Sequence, residues 1–213
     1  MASSGSDGPD THGVSFLTPS VTAEPHADGT IVLRSDTALR PYARCVGDWL
    51  EHWAQEAPER TFLAERSSPD LPWVTLSYAE TLRRVRGAGS WILAQEMSAQ
   101  RPLAVLSDNG IEHAVLALAA MHVGVPVAAI SPAYSLMSQD FEKLRGAIQL
   151  LDPGAIYVSD LQRFGPALAA IAPFHTATVI GGGATAGAGW SYGDVVATPV
   201  SAAIYRAFEE INA

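Results

Sequence analysis

Residues 102–180 alternate short apolar runs with longer segments of helical spacing, and this alternation restricts the possible folds more than any other feature of the chain. The apolar runs are 103–107, 127–130, 155–159 and 176–180, and the helical segments between them are 111–123, 139–151 and 161–171. The runs lack polar alternation, as is typical of parallel strands buried on both faces. The pattern therefore predicts an α/β fold with a partial doubly wound parallel sheet, right-handed crossovers and flanking helices.

The segments before this region predict smaller elements. Residues 1–27 are rich in Ser, Gly, Pro and Asp, and we expect them to form a flexible N-terminal arm. A short strand is predicted over 30–33, where β-prone residues follow an Asp-Gly turn dipeptide. Two further β-prone runs, 61–64 and 73–76, are separated by a turn-rich segment and predict a hairpin.

Helices are predicted on both sides of the alternating region. One apolar stripe has helical spacing and consists of Val46, Trp49, Leu50, Trp53, Ala54 and Ala57. We expect this stripe to be buried, with Trp49 and Trp53 in the core. Ser77 and Glu80 form a capping-box pattern that predicts the start of a second helix. A last helix is predicted over 200–211.

Charge and cysteine content exclude several classes of function. The chain has 13 basic and 22 acidic residues and a net charge of -9, so no basic stripe is available for nucleic acid. A single cysteine, Cys45, excludes an internal disulfide and a thiolate metal cage. Residues 1–10 do not resemble a secretory signal, and the longest apolar run, 114–130, is shorter than the roughly 20 residues that cross a bilayer. We expect a soluble cytoplasmic protein.

One glycine-rich stretch is a candidate nucleotide-binding motif. Gly181, Gly183 and Ala186 match a permissive dinucleotide fingerprint directly after a predicted strand. A fingerprint of this kind must lead directly into a helix, whereas here further glycines and Trp190 to Gly193 intervene. No Lys-Ser or Lys-Thr follows Gly187, so a Walker loop is excluded. We interpret the stretch as a flexible linker.

The titratable residues predict no catalytic, cofactor-binding or metal site. Lys143 is the only lysine, and we expect it on the helix surface. His113 and His122 are nine residues apart, which is not metal-ligand spacing on a helix. Asp108 and Glu112 are a candidate carboxylate pair, although a turn or helix-cap role is the simpler interpretation. The remaining histidines and the cysteine have no supporting partners in the sequence: His12, His26, His52, His175 and Cys45.

The order of short motifs resembles the start of the adenylate-forming acyl-CoA synthetases, also called the AMP-dependent synthetase/ligase family. The first motifs are Trp53-Ala54, 57–61, 76–80 and 107–113, followed by the stronger stretch 118–126 and by 131–135. The amino-acid sequence of the last two stretches is most similar to that of feruloyl-CoA synthases. The resemblance implies an enzyme that uses ATP, Mg²⁺ and CoA to convert a hydroxycinnamate such as ferulate, or another carboxylate, into a CoA thioester.

The sequence departs from this family where phosphate is bound. Family members carry a loop that ends in Pro-Lys-Gly and a C-terminal domain with a catalytic lysine, and neither is present in the printed sequence. The resemblance implies that 28–213 is an incomplete N-terminal region, inactive alone and prone to self-association through exposed apolar surface. Two alternatives stay open: a short paralogue that binds a nucleotide or docks onto a partner, and a prematurely terminated product without a role.

Overall fold

The computed structural model describes residues 18–183 and 189–211. The chain divides into two compact units, Met1–Tyr42 and Ala43–Ala213. Within the described residues, no helix has the length and apolar character needed to cross a bilayer.

The first unit contains an antiparallel hairpin. Strand β1 (Val21–Pro25) pairs with β2 (Ile31–Ser35) across a turn in which Gly29 has a φ of 86°. Asp36 closes the open end of the hairpin, because its carboxylate accepts hydrogen bonds from Ser20 Oγ at 2.7 Å and Thr22 Oγ1 at 2.6 Å. The strand at Val21–Pro25 lies inside the predicted N-terminal arm, so these residues have regular secondary structure that the sequence did not indicate. Residues 1–17 of the arm lie outside the described part of the chain.

The second unit is built on a five-stranded parallel sheet. Its strands are β5 (Leu103–Leu106), β6 (Val127–Ala129), β7 (Ala155–Val158), β8 (Thr178–Gly181) and β9 (Trp190–Ser191). The order across the sheet is β6-β5-β7-β8-β9, and every neighbouring pair is parallel. The first strand of the sheet therefore lies between the second and the third, which is a doubly wound order. The predicted fold class is confirmed.

Helices cover both faces of this sheet. They are α1 (Val46–Glu56), α2 (Tyr78–Leu93), α3 (Ile111–His122), α4 (Pro132–Leu136), α5 (Glu142–Leu151), α6 (Gly165–Ile171), α7 (Tyr192–Val196) and α8 (Ala203–Glu209), with a 3₁₀ turn at Ala172–Phe174. One apolar cluster joins α2, α3, α7 and α8 to one sheet face, and a second joins α5 and α6 to the other. The predicted hairpin is present as β3 (Thr61–Glu65) and β4 (Val74–Ser77).

The predicted burial of the α1 stripe is wrong for its tryptophans. Leu50 is buried at 3% exposure, but Trp49 is 53% exposed and Trp53 is 36% exposed. The rings lie along the surface with His52, whose ring centroid is 4.9 Å from that of Trp53. The 3.6-residue spacing identifies an apolar face, whereas burial depends on how much of that face meets α2 and α3.

Polar contacts fix the start of α2 and the last helix of the second unit. Ser77 Oγ accepts a hydrogen bond from Glu80 N at 3.2 Å, so the predicted cap of α2 is confirmed. The Glu80 carboxylate does not complete the capping box, since it binds Arg83 and Arg84 instead. At the end of α8, Arg44 Nη1 donates to the carbonyl oxygens of Glu209 at 3.0 Å and Ile211 at 3.1 Å. The last helix is thereby tied to the segment just before α1.

Candidate functional site

The order of the strands places one crevice where ligands bind in open α/β sheets. The chain leaves β5 toward β6 on one side and later returns to β7 on the other, so the switch point lies between β5 and β7. A cavity of about 250 Å³ opens at the carboxyl ends of these strands. It is lined by Glu65, Asp108, Asn109, Gly110, Glu112, His113, Tyr157, Ser159 and Gly183. We call this cavity the switch-point crevice.

The loop from β5 into α3 forms one wall of the crevice. Glu65, at the end of β3, accepts a hydrogen bond from Ile111 N through Oε2 at 2.7 Å. Its negative charge therefore lies at the positive end of the α3 dipole. A Cβ atom on Gly110 would come within 3.0 Å of the same carboxylate oxygen. This contact joins the β3–β4 hairpin to the loop between β5 and α3.

Glu112 connects three elements at the centre of the crevice. Tyr157 Oη donates to Glu112 Oε2 at 2.8 Å, and Gly183 N donates to its two oxygens at 3.1 and 3.2 Å. Burial raises the pKa of the Tyr157 hydroxyl, which stays protonated as a donor at neutral pH. A side chain at Gly182 is excluded, because a Cβ would lie 2.2 Å from the Ser159 carbonyl oxygen.

Asp108 and Glu112 face the same crevice but do not share a partner. Asp108 Oδ2 accepts from Arg163 Nη1 at 2.6 Å, whereas Glu112 is held by Tyr157. His113 Nδ1 lies 3.4 Å from both Ser107 Oγ and the Asp108 carbonyl oxygen. The two acids are therefore separate polar contacts of one crevice, and the hydrogen bonds give no indication of a shared proton.

Other residues considered in the sequence lie elsewhere. Lys143 is exposed on α5, as predicted, with Nζ 5.6 Å from the Tyr134 ring centroid. His122 is buried and stacks on Phe208, and Cys45 is the half-buried residue that precedes α1. His52 is exposed on α1, His26 lies at the β1–β2 turn, His175 accepts a hydrogen bond from Ala177 N, and His12 lies outside the described residues.

In its described residues, the glycine-rich stretch does not lead into a helix as a dinucleotide-binding loop does. Gly181 ends β8 and Gly183 has a φ of 81°, while Ala186 lies outside the described residues. The next helix in the described part of the chain, α7, begins at Tyr192, after β9. Among the described residues, the first helix N-terminus after these glycines is therefore that of α7. No helix intervenes between the parallel strands β8 and β9 in the described residues.

Two further cavities lie beside the switch-point crevice. One of about 290 Å³ is lined by Ser107, Asp108, Asn109, His113, Ala129, Ile130, Ser131 and Pro132. The other, of about 400 Å³, is lined by Arg83, Arg84, Glu112, Gly183, Tyr192, Gly193, Val196 and Ala197.

Sequence reasoning did not single out Glu65, Tyr157 or Tyr192. Position at a strand end was the available signal for Glu65, which ends β3.

The negative charges of the switch-point crevice favour a ligand with hydrogen-bond donor groups over a ligand with a phosphate group. Three carboxylates, Glu65, Asp108 and Glu112, line it, and Arg163 beside it is already paired with Asp108. Among the described residues, no group of three or more acidic, histidine or cysteine side chains is arranged to hold a metal ion. The residues present therefore do not fit Mg²⁺. Hydroxyl or amino groups of a ligand match these acceptors.

Comparison with solved structures relates this fold to acyl- and aryl-CoA ligases. A protein described as a long-chain-fatty-acid CoA ligase from Rhodopseudomonas palustris CGA009 has a TM-score of 0.60 at 18% identity, with 73% of this chain and 37% of that chain covered. A benzoate CoA ligase from Burkholderia xenovorans LB400 has a TM-score of 0.58 at 12% identity and coverages of 73% and 29%. Acetoacetyl-CoA synthetase from Streptomyces lividans has a TM-score of 0.56 at 19% identity and coverages of 72% and 25%.

These likenesses concern the fold. The sheet and its flanking helices match the N-terminal part of the adenylate-forming ligase fold, and the chain spans between 25% and 37% of the length of these three proteins. No curated protein is similar enough in sequence to be matched to the chain. The family model described as AMP-binding enzyme matches residues 50–169, which is more than half of the 213 residues. The chain therefore belongs to the AMP-binding enzyme family.

Proposed function

We propose that this chain forms the N-terminal α/β part of an ATP-dependent aryl-CoA synthetase, with ferulate or a related hydroxycinnamate as the acid. In the proposed reaction a carboxylate oxygen bonds to the α-phosphorus of ATP and pyrophosphate leaves. The CoA sulfur then attacks the acyl carbonyl carbon and AMP leaves. The observation that carries the proposal is the doubly wound parallel sheet with its flanking helices, which is similar in fold to the N-terminal part of the adenylate-forming ligases.

We further propose that residues 1–213 alone do not catalyse adenylation. Transfer of the adenylyl group requires positive charge and aligned donors around the α-phosphorus. The arginines near the switch-point crevice are engaged by acids, since Arg163 pairs with Asp108 and Arg83 pairs with Glu80. Lys143 is on α5, outside the lining of that crevice. An additional polypeptide region with a phosphate-binding lysine is therefore needed.

Ferulate-dependent exchange between ATP and labelled pyrophosphate tests both statements. We expect the purified chain to show no exchange above a no-enzyme control, and exchange by this polypeptide alone would overturn its inactivity. The DNA that follows codon 213 should then be read for a Pro-Lys-Gly loop in any frame. If one is present, the extended polypeptide is expected to exchange with ferulate in preference to benzoate, acetoacetate and a long-chain fatty acid. Preference for a non-aromatic acid would overturn the aryl assignment.

The position of the switch-point crevice favours a second candidate, a short protein that binds a nucleotide without turning it over. Its three carboxylates match ribose hydroxyls and an adenine amino group better than they match phosphate. Under this alternative, adenosine or AMP raises the unfolding midpoint of the purified chain, because a ligand that binds only the folded state stabilises it. Thermal shifts with adenosine, AMP, ATP and CoA measure the effect, and an unchanged midpoint with all four removes this candidate.

A further inference from the structure

Helix α8 has weaker attachments than the other elements around His122. Ile204 is its only fully buried residue, and Ala207 packs partly against the same apolar cluster. Among the described helices and strands, α8 packs on α2, whereas α1 packs on both α2 and α3. The other attachments of α8 are the hydrogen bonds from Arg44 and the stacking of Phe208 on His122. Elements with little buried apolar surface open most easily.

The imidazole ring of His122 is buried beneath this helix without a hydrogen bond. His122 is the last residue of α3, and the Phe208 ring lies over it at an interplanar angle of 8°. Nδ1 has no hydrogen-bond partner among the described residues. Nε2 is 3.7 Å from Glu51 Oε1, which is longer than a hydrogen bond. The site therefore accepts an uncharged ring much better than a charged one.

The charged groups on α1 and α2 do not compensate for a proton on His122. Glu51 of α1 and Arg86 of α2 face the ring, and Arg86 Nη2 already donates to Glu51 Oε2 at 2.6 Å. A protonated ring would therefore place two cations beside one carboxylate, away from water. Burial is the main cause that lowers the pKa of His122, Glu51 opposes it, and Arg86 adds to the lowering.

Helix α8 contributes an aromatic ring and no compensating charge to this contact. The guanidinium group of Arg44 lies over Phe208, with Cζ 5.0 Å from the ring centroid, and is paired with Asp48 at 3.1 Å. The charged side chains of α8 itself, Arg206 and Glu209, are exposed. Movement of α8 would therefore uncover the histidine ring without breaking an ion pair between α8 and the rest of the unit.

We propose that α8 is an acid-released lid over His122: when the ring binds a proton, α8 detaches together with Phe208 while the five-stranded sheet stays folded. Detachment gives the imidazolium group access to water and leaves the pair of Glu51 and Arg86 intact. The helix closes again when the proton leaves. This release is a local opening, distinct from unfolding of the whole second unit, and it does not require that the chain acts as a synthetase.

The direction of the effect follows from proton linkage. In the closed form the pKa of His122 is lowered from 6.5 to about 4, and in the open form the exposed ring regains its ordinary value. Opening therefore takes up a proton between these two values. The ratio of open to closed molecules is expected to rise about tenfold when the pH decreases from 5.5 to 4.5, and to change little above pH 7.

Amide hydrogen exchange, followed by NMR on the purified 213-residue chain, measures this ratio. The reporters are the amides of residues 207–211, with those of α1 and β7 as references. We expect the protection of the α8 amides, corrected for intrinsic exchange, to fall about tenfold from pH 5.5 to 4.5. In about 1 M urea their protection should stay nearly constant, whereas that of β7 should fall about tenfold or more, because a local opening exposes little surface.

Three results would overturn the proposal. The first is protection of the α8 amides that does not change with pH in this range. The second is equal protection and equal urea dependence of α8 and β7, which would mean that the whole unit opens at once. The third is acid-dependent exchange of α1 with α8 still protected, which would mean that the opposite wall of the histidine site moves.

His122→Phe removes the titrating group and keeps an aromatic ring against Phe208. We expect the protection of the α8 amides to become independent of pH between 5.5 and 4.5 in this variant. His175→Gln is the matched control, because burial also lowers the pKa of His175 but this residue follows the 3₁₀ turn, away from α8. The control should keep the tenfold change. A tenfold change that persists in His122→Phe would contradict the release mechanism.

Arg44→Gln changes the attachment of α8 without changing the histidine, and it provides a result even if His122→Phe does not fold. Loss of the charged donor to the Glu209 and Ile211 carbonyl oxygens should lower the protection of α8 about tenfold at pH 7. The dependence on pH should remain. Arg34→Gln, in the first unit, is the control that should leave α8 unchanged. Unchanged protection in Arg44→Gln would show that α8 does not open as a lid.

Discussion

At the scale of single residues, His122 is the most perturbed basic side chain of the described chain. Its ring is 2% exposed and stacks on Phe208 with the centroids 4.1 Å apart. Glu51 of α1 lies 3.7 Å from Nε2, and Arg86 of α2 lies nearby. Burial is the main cause that lowers the pKa of His122 from 6.5 to about 4, while Glu51 acts in the opposite direction. The folded state therefore keeps the ring neutral at physiological pH.

This pKa predicts a loss of stability in mild acid. Between pH 6.5 and 4 the unfolded chain binds a proton at His122 that the folded chain does not, so stability is complete above 6.5 and falls as the pH decreases toward 4. By the linkage relation the loss is on the order of 3 kcal/mol. Urea denaturation across this range measures the slope. His122→Phe keeps an aromatic ring against Phe208 and should make the slope shallower.

The exposed His52 provides the control for this experiment. His52→Gln is expected to keep the slope of the unmodified protein, because the His52 side chain is exposed on α1 and is not part of the buried contact between His122 and Phe208. An unchanged slope in His122→Phe would show that His122 does not carry the acid sensitivity. Burial also lowers the pKa of His175, so part of the slope is expected to remain in the variant.

Residue-scale prediction from the sequence succeeded for local contacts and failed for distant ones. The Ser77 cap and the exposed Lys143 follow from near neighbours in the chain. The contact of Glu65 with Ile111 joins residues 46 positions apart, and no pattern within either segment indicates it. The acid at 112 was visible in the sequence, but its partners come from other strands and loops. The crevice was therefore not predictable from composition or spacing.

At the scale of elements, the glycines of α2 determine how closely the next segments pack. A Cβ atom at Gly87 would lie 2.4 Å from the Val196 carbonyl oxygen, which is backbone and cannot rotate away. Gly146 on α5 is the contrasting case, since a Cβ there meets nothing within 4 Å. Alanine normally favours a helix over glycine by about 1 kcal/mol.

These two glycines should respond in opposite directions to the same change. Gly87→Ala is expected to destabilise the protein by roughly 2 kcal/mol or more, because α2 and α7 must separate. Gly146→Ala is expected to stabilise it by about 0.5–1 kcal/mol through helix propensity and reduced freedom of the unfolded chain. Urea midpoints of both variants, with the slopes checked for equality, provide the measurement. A Gly87→Ala protein as stable as the unmodified chain would contradict the packing described here.

Element-scale prediction was most successful where burial imposes a long pattern. The main strands and crossover helices of 103–181 were predicted because their apolar runs are several residues long. Strand β9 has only two residues, which is too short to show a period. Strand β1 was assigned to an arm because it lies in a segment rich in Ser, Gly, Pro and Asp, and the strand is formed by its pairing with β2. The burial of α1 depended on its neighbours and could not be obtained from its own sequence.

At the scale of the whole molecule, the two units are expected to differ in stability. Every residue of the two buried apolar clusters lies at position 50 or beyond, so the hairpin of the first unit contributes to neither cluster. Isolated two-stranded hairpins are marginally stable in water. A protein of residues 43–213 should therefore unfold within about 0.5 kcal/mol of the full chain.

Urea denaturation of the full chain and of residues 43–213 under identical conditions gives the comparison. Circular dichroism should report one cooperative transition for the shorter protein. A loss of several kcal/mol, or of cooperativity, would show that the second unit requires residues 1–42.

The hydrogen bonds from Arg44 to the carbonyl oxygens of Glu209 and Ile211 have a mechanical consequence. Because the two ends of the second unit are neighbours, a stretching force applied at residues 43 and 211 acts on this contact before it reaches the parallel sheet. The hydrogen bonds of Arg44 would break first, and helix α8 would then detach at low force. The sheet would be loaded only after they had detached.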